Sequence, residues 1–429
     1  MTSFNPAHKS RQSVDWRSRT SQNSPLRVAM IVGGFPSEKR PWVSPFNLRA
    51  ARGLLEHGLD LIVFQVWTWK PGRPFFQEDV YQGVSIVRWA IPFLPSRLTK
   101  LNAFIVNINI TSANYIGEFL VNKWLEQADL IHSVSMFPLG VFVSKWAKRL
   151  GLPHISQAIG SDLNVGLAVH SRRKIVRHWE ETLGGVICNS LELQQKFRTL
   201  YPQVENVQTI HRGVPLDVFR PDGPVKGPLA DCQPVRFCFL GGFPRGHRGP
   251  EFDINTKGGL TVMRAWEHAE PELIKAGAHL LMGGPNSDSD YLRKWRSRLH
   301  EPDRVHIIGL LAAEDIASFL RSSDVVLVPS LQEGLPNVPL EAAACGCAVL
   351  GSDIGGIPET IIHGTTGFIL PKDSAEQWTE TVTVLARNPD QVKKMGQAGR
   401  TFVEVHFDNR NYAPAIIRLY RHVLGSKAR

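Results

Sequence analysis

The apolar residues of this chain fall in short continuous runs, and between the runs they recur at helical spacing. Leu26–Val32 (LRVAMIV) is one such run and stops at Gly33-Gly34. A run of that length ending in glycine reads as a strand buried on both faces, followed by a tight turn. A helical pattern follows over Phe46–His57 and closes at Gly58. Strands are predicted over Leu59–Val66, Asp129–Val134, Pro153–Ala158 and Gly185–Asn189, with a helix over Leu139–Leu150 closed by Gly151. Leu101–Leu120 also has helical spacing, through Phe104, Ile105, Ile108, Tyr115, Ile116 and Phe119, broken by Asn102, Asn107 and Asn109. It fits an ordinary helix on the sheet or a helix lying on a membrane surface.

Asp217–Pro234 (DVFRPDGPVKGPLADCQP) is rich in Pro, Gly and Asp and reads as a linker. The pattern then restarts. Strands are predicted over Val235–Leu240, Ala278–Met282, Val305–Ile308, Val325–Val328 and Ala348–Leu350. Helices are predicted over Thr256–His268, Glu314–Arg321, Asn337–Cys345 and, amphipathically, Arg410–Leu424. Strands alternating with helices on both sides of one linker predict two doubly wound α/β domains. The expected boundaries are an unstructured basic tail over 1–24, a first domain over 25–216, the linker over 217–234, a second domain over 235–405, and a C-terminal helix over 406–429 that crosses back to the first domain. Ligands of such sheets bind at the carboxyl ends of the strands, so the cleft between two such domains is the expected active site.

Composition narrows the class. The 429 residues are 43% hydrophobic and 21% charged, which excludes a collagen-like chain, a disulfide mini-protein and wholesale disorder. No window approaches 18 consecutive apolar residues, and residues 1–24 lack the apolar core of a signal peptide. Five cysteines, an odd number and sparsely spread, point to a reducing compartment. Cys345-Gly-Cys347 has no second Cys/His pair at zinc spacing and is expected to be a buried pair. Charge is uneven: residues 1–215 hold 25 Lys+Arg against 14 Asp+Glu, and residues 216–429 hold 24 against 25. A basic half of this kind faces an anionic partner or is a solvated surface.

Pro329–Gly346 (PSLQEGLPNVPLEAAACG) carries the strongest chemistry. It leaves a strand and opens a helix, whose free amides and dipole favour an anion. Glu333 stands in the loop, Gly334 allows close backbone approach, and Glu341 lies one turn into the helix. A diphosphate on the amides would leave Glu341 to accept from a ribose diol and Glu333 to accept from a sugar. A plain capped helix start is the alternative.

This stretch resembles the Glu-x7-Glu signature (Glu333, Glu341) of the family 4 retaining glycosyltransferases, which have the GT-B fold. The flanking text agrees: DVVLVPS (Asp324–Ser330), GGIPE (Gly355–Glu359), HGTTGFIL (His363–Leu370), IHRGVPLDVFRP (Ile210–Pro221), ICNS (Ile187–Ser190) and Gly160-Ser161-Asp162. The match runs from about Leu26 to Leu385 and resembles in particular bacterial enzymes of surface-polysaccharide assembly, of the teichuronic-acid and colanic-acid type.

The resemblance implies α/β architecture of the GT-B kind, two Rossmann-like domains facing each other across a cleft. It implies that Glu333 holds donor-sugar hydroxyls and that the amides from Gly334 through Leu335, Pro336 and Asn337 to Val338 surround sugar and diphosphate. It implies that Glu341 binds ribose and that Lys257, at a helix start in Lys257-Gly258-Gly259, stabilises the leaving diphosphate. Gly33 and Gly34 match the glycine loop of the first domain, Ser161 and Asp162 an acceptor-side element, and His132 the histidine that contacts the donor sugar, although Val134 stands where that histidine is often found. The family's phosphate arginine follows a Gly-Arg pair. Here the text reads Gly241-Gly242-Phe243, leaving Arg245, or Arg248, as the candidate. Ile159 replaces the basic residue often found before Gly160. Asp288-Ser-Asp290 reads as a solvated loop, and no metal or other cofactor is expected.

The implied function is retaining transfer from a nucleotide-diphosphate sugar to a glycan or lipid-diphosphate acceptor, in cell-surface polysaccharide synthesis. The implied place is the cytoplasm, peripheral on an anionic membrane face through the basic half, with nucleic acid not expected as a partner. The alternatives are a nucleotide-sugar epimerase or sugar phosphorylase of the same fold, and a non-catalytic membrane- or nucleic-acid-binding protein.

Overall fold

The computed structural model describes residues 14–17, 24–41, 43–69, 74–91, 102–168, 170, 173, 178–225, 235–243 and 256–427. They divide into two compact units. The first takes Met1–Cys188, Gln194–Ile210 and Ala413–Arg429, and the second Asn189–Leu193 and His211–Tyr412.

In chain order the first unit holds β1 (Arg27–Val32), α1 (Pro45–Glu56), β2 (Asp60–Thr68), β3 (Phe76–Tyr81), β4 (Val84–Ile91) and α2 (Asn102–Leu125). There follow β5 (Leu130–Val134), α3 (Val141–Leu150), β6 (His154–Ala158), β7 (Leu183–Cys188), the helix α4 (Leu191–Leu200), which belongs to the first unit from Gln194 onward, and β8 (Val207–Thr209). The strand order is β3-β4-β2-β1-β5-β6-β7-β8. All neighbours are parallel except β3 and β4. That hairpin escapes the sequence reading. Its turn, Gln82-Gly83, has both φ angles positive (47° and 79°), as a two-residue hairpin turn requires.

The second unit holds β9 (Arg236–Leu240), α5 (Gly259–Lys275), β10 (His279–Gly283), α6 (Asp290–Arg296), β11 (Val305–Gly309), α7 (Ile316–Arg321) and β12 (Val325–Val328). It continues through α8 (Asn337–Ala344), β13 (Ala348–Ser352), β14 (Gly367–Leu370), α9 (Ala375–Ala386) and α10 (Pro389–His406). Its strands run parallel in the order β11-β10-β9-β12-β13-β14. Successive strand residues point to opposite faces. Phe237 and Phe239 of β9 therefore join a core with Trp266 of α5 and Trp378 of α9, while Cys238 joins one with Leu340 and Ala343 of α8. Both faces are covered, which is why the strands read as unbroken apolar runs.

In each sheet the strand order reverses direction beside the first strand, between β1 and β5 and between β9 and β12. The carboxyl ends of strands at such a reversal are where an open α/β sheet leaves room for a ligand. Gly33-Gly34 leaves β1 at one reversal, and Pro329–Pro336 leaves β12 at the other.

Three expected boundaries shift. Residues 14–17, placed in the unstructured tail, are pinned: Trp16 Nε1 donates to the Trp124 carbonyl (2.9 Å) and Trp124 Nε1 to the Val14 carbonyl (2.8 Å). The main segment of the second unit begins at His211, earlier than 217: Val214 N donates to the Phe407 carbonyl and Phe219 is buried in that unit's core. The described part of the linker is thereby part of that unit. The last helix, α11 (Tyr412–Lys427), lies from Ala413 onward in the first unit. Its Ile416, Leu419, Tyr420 and Val423 are buried, and a side chain on Gly184 of β7 would strike Val423.

Candidate active site

The loop after β12 is built by the chain before α5. Gly258 has φ +75°, and a Cβ there would fall 1.8 Å from the Pro329 carbonyl oxygen, so only glycine fits. Leu331 N donates to the Thr256 carbonyl at 2.8 Å. These contacts fix residues 256–258 against residues 329–331 and set Lys257 opposite Glu333. Lys257 Nζ donates to Glu333 Oε1 at 2.5 Å, and Ser330 Oγ donates to the same oxygen at 3.0 Å. The Glu333 side chain is 11% exposed and that of Lys257 47%, so the carboxylate is held while the ammonium faces water.

The far side of the loop rests on Gly355-Gly356. Gly356 N donates to the Gly334 carbonyl at 2.6 Å. A Cβ on Gly355 would stand 2.5 Å from the Glu333 carbonyl oxygen, and one on Gly356 2.5 Å from that of Gly334. The GGIPE text is therefore the support of the glutamate loop. Its Glu359 accepts from His211 Nε2 (2.8 Å) and from the amides of Leu191 (2.8 Å) and Glu192 (3.3 Å).

α8 opens at Asn337 after Pro336, which gives no side-chain cap. First-turn amides have no acceptor within their own helix, and Pro339 contributes none, which leaves Asn337 and Val338 as the donors of that turn. Leu335 packs against the core behind them, and Glu341 sits half-buried one turn in. Lys257, Glu333, Gly334, Leu335, Pro336, Asn337, Val338 and Glu341 thus share the carboxyl edge of β12. The neighbouring loop is tied down by Gly241 N donating to the Gly283 carbonyl (3.1 Å) and Phe243 N to the Pro285 carbonyl (3.0 Å). Arg245 and Arg248 lie outside the described residues.

In the first unit Gly33 is exposed and Gly34 is crowded: a Cβ on Gly34 would meet Ser44 Oγ at 2.5 Å. Asn47 Nδ2 donates to the Gly34 carbonyl at 2.8 Å. Arg88, missed in the sequence, holds the next stem. It is 2% exposed and donates to Gln65 Oε1 and to the Pro36 carbonyl, both at 2.9 Å. Asp79 completes the pair, and burial lowers the Arg88 pKa against that carboxylate's pull. An arginine in the middle of an apolar strand was the available signal.

Two expected site residues are buried and hydrogen-bonded within the fold. His132 is 1% exposed on β5, and its Nδ1 meets the Tyr420 hydroxyl of α11 at 2.7 Å. It joins the last helix to the sheet. Asp162 is 3% exposed and accepts from the amides of Met136 (2.7 Å), Gly160 (2.9 Å), Leu163 (3.0 Å) and Ile159 (3.1 Å). Its carboxylate binds the loop after β5 to the loop after β6 as a clamp. Burial raises its pKa, with those four amides pulling the other way. Ser161 beside it is exposed.

The four cysteines among the described residues, Cys188, Cys238, Cys345 and Cys347, are buried and free. Cys347 Sγ donates to the carbonyls of Leu320 (3.2 Å) and Ser323 (3.4 Å), and burial pushes the Cys188, Cys238 and Cys345 thiols up to about 12. Asp290 opens α6 and pairs with Arg293 in solvent.

Two Rossmann-like units, the second carrying a carboxylate, an ammonium and an open helix start at its strand reversal, are the architecture of the GT-B fold. Residues 255–402 match the family described as Glycosyl transferases group 1, and residues 43–218 match Glycosyltransferase Family 4. The chain belongs to the family 4 glycosyltransferases. A D-inositol 3-phosphate glycosyltransferase of Saccharomonospora viridis is 25% identical over 56% of this chain and 56% of its own length. An uncharacterized glycosyltransferase of Methanocaldococcus jannaschii is 24% identical over 86% of this chain and 92% of its own. A GDP-mannose-dependent alpha-(1-6)-phosphatidylinositol monomannoside mannosyltransferase of Mycobacterium tuberculosis is 26% identical over 54% of this chain and 60% of its own. The chain thus spans under two thirds of the first and third of these. In structure it is similar to sucrose-phosphate synthase of Thermosynechococcus elongatus, with TM-score 0.68 and 20% identity over 94% of this chain and 100% of that one. Anabaena HepE in complex with UDP-glucose gives TM-score 0.62 and 14% identity over 94% and 99%.

Proposed function

We propose that this protein moves a sugar from a nucleotide-diphosphate donor to a hydroxyl of a glycan or lipid-linked acceptor, with retention at the anomeric carbon. The observation that carries this reading is Lys257 and Glu333 set together beside the α8 N-terminus. The diphosphate would lie on the α8 amides, with Glu341 accepting from the ribose. Lys257 would turn from Glu333 to the phosphates and stabilise the negative charge that builds as the glycosidic C–O bond breaks. Glu333, released, would accept from the donor-sugar hydroxyls. The departing diphosphate oxygen would take the acceptor proton, so no side-chain base is required. The reading calls for no metal, since Lys257 and the helix dipole supply positive charge at the phosphates.

The relatives support the donor and acceptor classes. HepE is described in complex with UDP-glucose, and the mycobacterial relative is named for transfer to a phosphatidylinositol mannoside. For this chain the proposed setting is cell-surface polysaccharide synthesis at the cytoplasmic, anionic face of a membrane, the basic half toward the lipid. Among the described residues no helix is long and apolar enough to cross a membrane.

The test is a thermal shift of the full chain against a panel of nucleoside diphosphates, beside Glu341→Ala. One diphosphate is expected to raise the wild-type Tm and to raise that of the variant much less. No shift at millimolar ligand would remove the donor-site reading. Release of free nucleoside diphosphate without a glycoside would favour hydrolysis or epimerisation.

A further inference from the structure

The exposed side of α2 carries large aromatic side chains that fold stability does not explain. Phe119 is 87% exposed and Tyr115, one turn before it, 69% exposed. The opposite side of the same helix is spent on packing: Val121, Trp124 and Leu125 are buried. Lys123 continues the exposed stripe one turn further. Its side chain is 65% exposed, with Nζ over the Trp124 ring and 3.9 Å from Glu78.

α3 lies alongside. Arg149 Nε pairs with Glu118 at 2.7 Å, and its NH2 donates to Asn122 Oδ1 at 2.6 Å, which fixes the end of α3 beside the aromatic stripe. The solvent face of α3 is wholly basic: Lys145, Lys148 and Arg149 are its exposed residues. The acids near the stripe are Glu118, which Arg149 holds, Glu126, which Asn122 holds, and Glu78, 3.9 Å from Lys123 Nζ. Aromatic side chains flanked by cations are the composition that enters the headgroup layer of an anionic bilayer. A second copy of the chain is a poorer occupant, since a two-fold contact through this stripe would bring the same lysines face to face.

We infer that Tyr115 and Phe119 on α2, with Lys123 and the Lys145–Lys148–Arg149 face of α3, form the docking surface by which the protein sits on an anionic phospholipid membrane. The inference rests on the proposed lipid-side setting but not on the donor site, which belongs to the other unit. It specifies the face through which the basic half meets lipid: the aromatics enter the interface and the cations lie at phosphate level.

The test is co-sedimentation of the full chain with vesicles of phosphatidylcholine alone and of phosphatidylcholine with phosphatidylglycerol. Binding is expected to the mixed vesicles and to fall as salt rises. Tyr115→Ser with Phe119→Ser should lower the partition coefficient at least tenfold, on the order of the loss of two exposed aromatic insertions. Lys145→Gln with Lys148→Gln should lower it about fivefold per charge. Each variant is checked for an unchanged Tm and an unchanged shift with nucleoside diphosphate, which separates loss of docking from loss of the donor site. Equal sedimentation of the aromatic variant, or none of the wild type, overturns the inference. Self-association without lipid that Phe119→Ser abolishes also overturns it, in favour of a second copy.

Discussion

Lys257 Nζ stands 2.5 Å from Glu333 Oε1 across 76 residues of sequence. The two groups neutralise each other until something more anionic than one carboxylate arrives. A diphosphate at the α8 start fits that description, and on the proposed function its arrival would free Glu333 for the sugar. Lys257→Met and Glu333→Gln are each expected to lower kcat about 10²–10³-fold, the usual cost of removing one transition-state charge contact. The double variant should lose little more than either single one, because each single change already breaks the coupled arrangement. Steady-state kinetics on the four proteins check this, and simple additivity would show that the residues act independently.

Gly258 is expected to be the most sensitive position near the site that touches no ligand. Gly258→Ala must place a methyl group 1.8 Å from the Pro329 oxygen, at φ +75°. Gly309 has a similar φ of +84°, but a Cβ there meets nothing within 4 Å. Gly309→Ala isolates the backbone strain, on the order of 1 kcal/mol. Gly258→Ala adds displacement of the loop that holds Glu333, so it should lose more stability and nearly all activity. Urea melts and turnover of the two variants distinguish strain from displacement.

Asp162 gives a pH test. Its folded-state pKa is raised, chiefly by burial. The folded protein therefore binds that proton more readily than the unfolded chain does. Its contribution to stability is full below the unfolded carboxyl pKa, about 3.9, and is lost as pH rises through the raised folded value. Against Asp162→Asn, the wild type should gain relative stability as pH falls from neutral toward that lower limit. Denaturation at several pH values measures the difference, and a difference independent of pH would show that the amides offset the burial.

The sheets were legible because a strand buried on both faces must be a short apolar run, and β1, β5, β9 and β12 are such runs. The glutamate loop was legible because Glu333, Gly334 and Glu341 flank a helix start. What the sequence hid depends on pairing between distant segments. The β3–β4 hairpin (Phe76–Ile91) alternates weakly and has one open edge. His132 within a strand and Asp162 just after one each show only a polar residue, which serves a ligand or the fold equally well until its partners are known. Here the partners are four backbone amides for the first and Tyr420 for the second. Arg88 likewise gains meaning only from Pro36 and Asp79.

His132 separates the two roles in one experiment. As a donor-sugar contact it would raise KM or lower kcat when replaced, with little change in stability. As the partner of Tyr420 it should do the reverse. Tyr420→Phe removes the hydroxyl from a buried ring and is expected to cost about 1 kcal/mol. His132→Gln should cost more, because it also leaves space beside the Tyr420 ring. Both should retain kcat/KM within a few fold at temperatures where they remain folded. Since the two side chains share one hydrogen bond, their combined cost should fall short of the sum of the single costs. A normal Tm in His132→Gln together with a large loss of kcat/KM would return the residue to the active site.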